Sequence, residues 1–147
     1  VLEVQDFNMD YTASYEALAN EAALASRYAY VPNSHYRVGA AILTANGTVY
    51  RGCNVESGST INTIHAEINA IGNMIVNGSF PQYGIAMAVY TNEEKPWRPC
   101  GFCRQSIYEL FPEDFKIIMC NDDGVYEIIS QEEMLPKGYC RRTKNVK

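Results

Sequence analysis

Hydrophobic and polar positions along this chain repeat in two rhythms, one helical and one of strands. From about Asn8 to Ala29 the chain is rich in Ala, Glu and Leu, and Tyr15, Leu18, Ala22 and Ala25 recur at helical spacing. That stretch predicts a helix, and Pro32 breaks it. The run Tyr36 to Thr44 predicts a strand. Asn46-Gly47 is a strong hairpin turn signal, and Thr48 to Asn54 reads as the returning strand. Ile64, Ile68, Ile71 and Ile75 resume helical spacing until Asn77-Gly78 ends the run. Ile85 to Thr91 predicts a third strand, and Pro99 suits the first turn of a helix running to about Phe111. Phe115 to Asn121 predicts a fourth strand. Asp122-Asp123-Gly124 then turns the chain into a short fifth one, Val125 to Ile129. Alternating strands and helices imply an α/β layered domain. The opening hairpin makes the sheet mixed rather than purely parallel.

Composition narrows this picture. At 147 residues the chain has the length of one ordinary domain, read here as a single domain over 1–147. Its net charge of −5 carries no basic patch of the kind that grips a polyanion, apart from Arg141, Arg142, Lys144 and Lys147 at the end. A small-molecule substrate is expected rather than a nucleic acid polymer. No apolar run is long enough to span a membrane, and no signal-peptide pattern opens the sequence. The five cysteines are an odd number, two of them in a C-x-x-C. That usage suits metal ligation in a reducing, cytoplasmic compartment better than a disulfide framework. Cys53 and Cys120 lie in apolar strand-like runs and are expected to be small core residues.

Chemistry concentrates in His65-Ala66-Glu67 and Pro99-Cys100-Gly101-Phe102-Cys103. One imidazole and two thiolates make three ligands for Zn²⁺, one ion per subunit. Three protein ligands leave the fourth tetrahedral position open, the pattern of a catalytic site. Two thiolates and a neutral imidazole bring the charge of the site to zero, and zinc lowers the pKa of a bound water to about 7. Glu67, free of the metal, is placed to act as general acid/base. Both halves fall near predicted helix starts, where the helix dipole favours thiolate. Two other readings remain open at this level. His35 could complete a four-ligand structural site, or the C-x-x-C could be a redox pair that ignores His65 and Glu67. Asn54 and Glu56 alternate along a strand and so share a face, as sugar-binding groups or as solvated polar residues.

The motif pair has the H-x-E…P-C-x-x-C form of zinc-dependent nucleobase deaminases. The surrounding residues resemble the cytidine deaminase family more specifically. Tyr30-Val31-Pro32-Asn33-Ser34-His35-Tyr36-Arg37-Val38-Gly39-Ala40-Ala41 is similar to the segment that opens those enzymes, and Gly52-Cys53-Asn54-Val55-Glu56 to their ribose-binding strand. Pro99 to Gln105 is similar to their second zinc motif, so the likeness runs from about Ala17 to Tyr139. It implies a three-layer α/β/α sandwich around a five-stranded mixed sheet, and hydrolytic loss of ammonia from C4 of a cytosine nucleoside. It also implies that His65, Cys100 and Cys103 bind zinc and Glu67 shuttles protons. Asn54 and Glu56 would bond the sugar 3′-hydroxyl, Tyr36 would pack on the pyrimidine, and Ala66 would line the substrate site. Tyr139 would reach a neighbouring subunit's site in a homotetramer or homodimer.

Three departures from the family pattern stand out. Short members carry Cys at the position of His65, and Arg at the position of Ile68. The two changes balance, because one thiolate fewer removes the need for the cation. The aromatic that usually follows the Asn-x-Glu pair is missing, replaced by Ser57-Gly58-Ser59-Thr60. The ending Leu135-Pro136-Lys137-Gly138-Tyr139 resembles blasticidin-S deaminases, so deamination of a modified cytosine nucleoside is the alternative activity. A non-catalytic zinc-stabilised binding module is the alternative from another class.

Overall fold

The computed structural model describes residues 11–141. The start of the first predicted helix and most of the basic tail lie outside them. Element order is α1 (Tyr11–Ser26), β1 (Val38–Thr44), β2 (Val49–Cys53), α2 (Ala66–Val76), β3 (Gly84–Thr91), α3 (Gly101–Leu110), β4 (Lys116–Asn121), β5 (Gly124–Ser130) and α4 (Gln131–Met134). The five strands form one sheet in the order β2-β1-β3-β4-β5. Only β3 and β4 run parallel, joined through α3, and every other neighbouring pair is antiparallel. The sheet is mixed, as the opening hairpin predicts.

Strand alternation sorts the core onto two faces. Ala40, Ile42, Met87, Val89, Ile117 and Met119 face one way, against residues of α2, α3 and α4. Ala41, Leu43, Ala86, Ala88, Ile118 and Cys120 face the other, against Leu18, Ala19 and Ala22 of α1. The result is a three-layer sandwich. Cys120 is buried as expected, while Cys53 is only half-buried.

Both helix layers come very close to the sheet where a strand has no side chain. A Cβ on Gly39 would sit 1.9 Å from the Ala22 carbonyl oxygen of α1. On the opposite face, a Cβ on Gly52 would lie 2.3 Å from the Ala70 nitrogen and 2.4 Å from the Ala66 oxygen of α2. Two side chains of α2 then cover the open edge of β2. Asn69 Nδ2 donates to the Cys53 carbonyl at 2.9 Å, and Asn73 Nδ2 to that of Arg51 at 3.0 Å. An edge strand covered this way cannot pair with another chain through those carbonyls.

Element boundaries differ from the sequence reading for identifiable reasons. Tyr36 and Arg37 are not part of β1. The Asn54 side chain takes up the backbone there, donating to the Tyr36 carbonyl at 2.8 Å and accepting from the Val38 amide at 2.9 Å. Pro99 stands before the cap residue Cys100 rather than in the first turn of α3. The isoleucine row coincides with the buried face of α2 only in its middle, at Ile68 and Ile71. Ile64 precedes the helix and Ile75 is exposed, whereas Ala66, Glu67, Ala70, Ile71 and Met74 are buried. The four-residue α4 is absent from the sequence reading, although Ser130 and Glu133 form a capping box that Ser-x-x-Glu encodes. The Asn46-Gly47 turn is as predicted. Gly47 has φ 84°, and the Asn46 side chain accepts from the Thr48 amide at 3.1 Å.

Replacing Gly39 by Ala forces a methyl group into the α1 backbone. It should destabilise the fold by about 3 kcal/mol, in the range of severe overpacking. Gly58→Ala, where nothing lies within 4 Å, is the control and should change stability by about 0.5 kcal/mol or less. Urea unfolding midpoints of the two variants check the difference.

Candidate active site

Two helix starts meet at one end of the sheet. His65 is the cap residue of α2 and Cys100 that of α3, and neither cap side chain bonds the helix amides behind it. Cys103 follows one turn into α3 and is buried. The donor atoms of His65, Cys100 and Cys103 all lie within 4.8 Å of one another. His65 Nδ1 is 3.3 Å from each sulfur. A tetrahedral zinc with bonds of about 2.0 Å to nitrogen and 2.3 Å to sulfur separates such atoms by about 3.5 Å. The three residues therefore fit a zinc ion in distance and in donor type. His35 does not join them, so the four-ligand alternative fails among the described residues. His35 lies elsewhere, in a left-handed conformation with φ 64°.

Burial pushes the Cys103 thiol well above its ordinary pKa, and the nearby Glu67 and Cys100 push it further. A divalent cation held among these donors reverses that preference and deprotonates the thiol outright. Glu67 is 5% exposed, in the first turn of α2. Burial raises its carboxyl pKa, while its own backbone amide, the Cys103 thiol and His65 draw it partly back. A carboxyl whose pKa is raised holds a proton more readily than an exposed one, which suits a general acid/base.

These groups close one end of a cavity of about 280 Å³. Ala66, Val38 and Val89 supply apolar lining, while Asn54, Thr63, Ser34 and Thr91 supply polar groups. Tyr36, Trp97 and Arg98 also line the cavity. The two aromatic rings touch, with centroids 4.9 Å apart and planes tilted by 48°. Glu56 sits just behind the wall. Its Oε1 accepts from the amides of Asn33 and Ser34, both at 3.1 Å. Bonds from the Ser34 side chain and amide, with that of Asn33, hold Glu56 below the usual carboxylate range. Asn54 keeps one N–H and one lone pair beyond its two backbone bonds. Tyr139 is not brought to this cavity. Its ring is exposed and its carbonyl accepts from Gln105 Nε2 at 2.9 Å.

Val38, Val89, Thr63 and Thr91 are lining residues that sequence reasoning missed. Each lies in or beside an apolar strand or helix start, and only the fold turns it towards the cavity. Trp97 and Arg98 carried a weak signal, since they immediately precede the second motif.

An open three-ligand metal site beside a buried carboxylate belongs to metal enzymes that act on a small molecule. The comparisons with known proteins narrow the class. Residues 12–119 match the family model for the cytidine and deoxycytidylate deaminase zinc-binding region. The chain belongs to that family. The cytidine deaminase of Halalkalibacterium halodurans is 37% identical over 130 residues, 88% of this chain and 97% of that one. The blasticidin-S deaminase of Bacillus cereus is 34% identical over 119 residues, 76% of this chain and 82% of that one. The crystal structure of cytidine deaminase from Burkholderia pseudomallei aligns with a TM-score of 0.81 at 34% identity, covering 89% of this chain and all of that one.

Purified protein is expected to carry one zinc per subunit by elemental analysis. Replacing both Cys100 and Cys103 by Ala should abolish it, because a lone histidine is a poor zinc site. Zinc retained by the double variant would place the metal elsewhere.

Proposed function

We propose that this chain is a zinc-dependent aminohydrolase that converts cytidine and deoxycytidine to uridine and deoxyuridine. The observation that carries the proposal is the buried Glu67 carboxyl beside three converging metal donors, at the closed end of a nucleoside-sized cavity. A purely structural zinc module has no use for a carboxyl buried at such cost. His65, Cys100 and Cys103 hold the zinc, which when bound supplies Lewis acidity and a water of lowered pKa.

The protein's own groups do the rest. Tyr36 and the apolar lining receive the pyrimidine, with C4 towards the metal end and Ala66 against its edge. Asn54 and Glu56 take the sugar 3′-hydroxyl, an assignment supported by Asn54 in the cavity lining and by the bond that Glu56 accepts from the amide of Ser34, which also lines it. In the overall reaction the oxygen of water ends on C4 and the amino nitrogen leaves as ammonia. One proton of that water must reach N3 and the other the departing nitrogen. Glu67 is the group beside the cavity that carries both. Its raised pKa lets it take a proton and give it up within one cycle.

The likeness to the cytidine deaminases of Halalkalibacterium halodurans and Burkholderia pseudomallei supports the nucleoside substrate. A polymer is disfavoured, because its 3′-oxygen is occupied by phosphate. We place the chain in the cytoplasm as one domain, on a cysteine usage that suits metal ligation in a reducing compartment. Exposed Ile61, Val76, Phe102 and Tyr139 support assembly into a homotetramer or homodimer, in which Tyr139 would meet a neighbouring subunit.

Glu67→Gln should keep zinc and fold but lose about 10²- to 10⁴-fold in turnover, measured as ammonia release from cytidine. Near-normal turnover would remove Glu67 as the proton carrier, while a wild type that releases no ammonia would return the binding-module reading. Glu56→Ala should lower kcat/KM for cytidine far more than for free cytosine, since the free base never uses that contact. Equal losses would remove Glu56 from the sugar site. A preference of the wild type for blasticidin S over cytidine would move the assignment to the antibiotic-inactivating relatives.

A further inference from the structure

Trp97 is the only tryptophan in the chain, and it stands at the junction of three cavities. One is the candidate active site. Of the other two, one has a volume of about 420 Å³ and is lined by Arg27, Arg37 and Glu93. The third, of about 700 Å³, is lined by Lys95, Arg104 and Glu127. The indole thus separates a mostly apolar pocket from two charged ones. We infer that Trp97 is a substrate-binding and specificity-determining residue, whose indole supplies the second aromatic surface for the cytosine ring. The inference rests on the deaminase reading above.

Three observations carry it. First, Ser57 to Thr60 carry no aromatic side chain, and none of those four residues lines the cavity. Second, Trp97 and Tyr36 approach from unrelated parts of the chain and touch at 4.9 Å, while remaining 47% and 54% exposed. Their planes are tilted by 48°, so they form two walls of an aromatic corner, and the part of the indole left exposed can receive a flat heterocycle. Third, the loop that carries Trp97 is tied down on several sides. The Trp97 amide donates to Thr91 Oγ1 at 3.0 Å. Asn121 Nδ2 donates to the carbonyls of Glu93 and Glu94 at 3.0 and 3.3 Å. Arg98 pairs with Glu127 at 3.0 Å, and Pro96 and Pro99 bracket the Trp-Arg step. A side chain held this way is pre-organised, so little ordering cost is left for ligand binding. Removing it would both delete a stacking surface and open the pocket to the charged cavities beside it.

The test uses the tryptophan itself. Zinc-loaded Glu67→Gln protein, titrated with cytidine, should show a saturable change in fluorescence under selective tryptophan excitation, which reports Trp97 alone. In the otherwise wild-type enzyme, Trp97→Ala should lower kcat/KM for cytidine by about tenfold or more, mainly through KM, as loss of a base-stacking ring does. Trp97→Phe should recover much of that loss, and zinc content should be the same in all three proteins. The inference is overturned if cytidine is deaminated while Trp97→Ala keeps the wild-type KM, or if saturating cytidine leaves the fluorescence unchanged. Should Trp97→Ala fail to fold, the phenylalanine variant and the titration decide the matter. Saturable fluorescence without ammonia release from the wild type would support the contact and overturn the proposed reaction instead.

Discussion

The bare contact between α2 and β2 at Gly52 is the constraint on which the site depends. Without a Cβ there, the helix backbone settles directly on the strand, at distances no other residue would permit. Asn69 and Asn73 then lock the helix along the strand edge by bonding its carbonyls. Rotation and translation of α2 are both fixed as a result. Its first residues, His65, Ala66 and Glu67, are delivered to one end of the sheet. The mirror contact at Gly39 does the same for α1 on the other face. The small residues of that layer, Ala19, Ala22, Ala41, Ala86 and Ala88, continue the close fit.

Once α2 is placed, electrostatics organises the remainder. Two helix starts without side-chain caps point their free amides into one region, and such ends favour negative charge. The region collects two thiols and a carboxyl. Burial favours the protonated form of Cys103 and of Glu67. A divalent cation changes the balance at the sulfurs most, because they touch it. Glu67 is not among the three metal donors, which leaves its carboxyl available to carry protons. One site can thereby hold anionic ligands and a proton-carrying acid side by side.

The polar wall shows how positioning and recognition share the same side chains. Asn54 bonds the Tyr36 carbonyl and the Val38 amide, and β1 starts at Val38, two residues later than the sequence pattern suggests. That late start leaves Tyr36 outside the strand, where it lines the cavity. Glu56 performs the parallel task for the neighbouring loop by gathering the amides of Asn33 and Ser34. Both residues therefore build the wall they stand in, whether or not a sugar is bound.

The sequence by itself determined the donor set and the order of elements. Metal chemistry demands particular residue types, so His65, Glu67, Cys100 and Cys103 are legible wherever the chain places them. The hairpin at Asn46-Gly47 is equally local, because its backbone conformation is written in two residues. Tertiary structure decided which faces are used. The isoleucines of α2 repeat at helical spacing, yet Ile64 and Ile75 are exposed and Ala66 and Ala70 are buried. Hydrophobic periodicity follows large side chains, whereas this interface is set by glycine and alanine, which leave almost no periodic signal. The contact of Trp97 with Tyr36, the exclusion of His35 from the metal donors and the position of Tyr139 outside the cavity were invisible for a related reason. Each depends on how segments distant in the chain are brought together, and that follows from the sheet order and the two close backbone contacts, not from any local pattern.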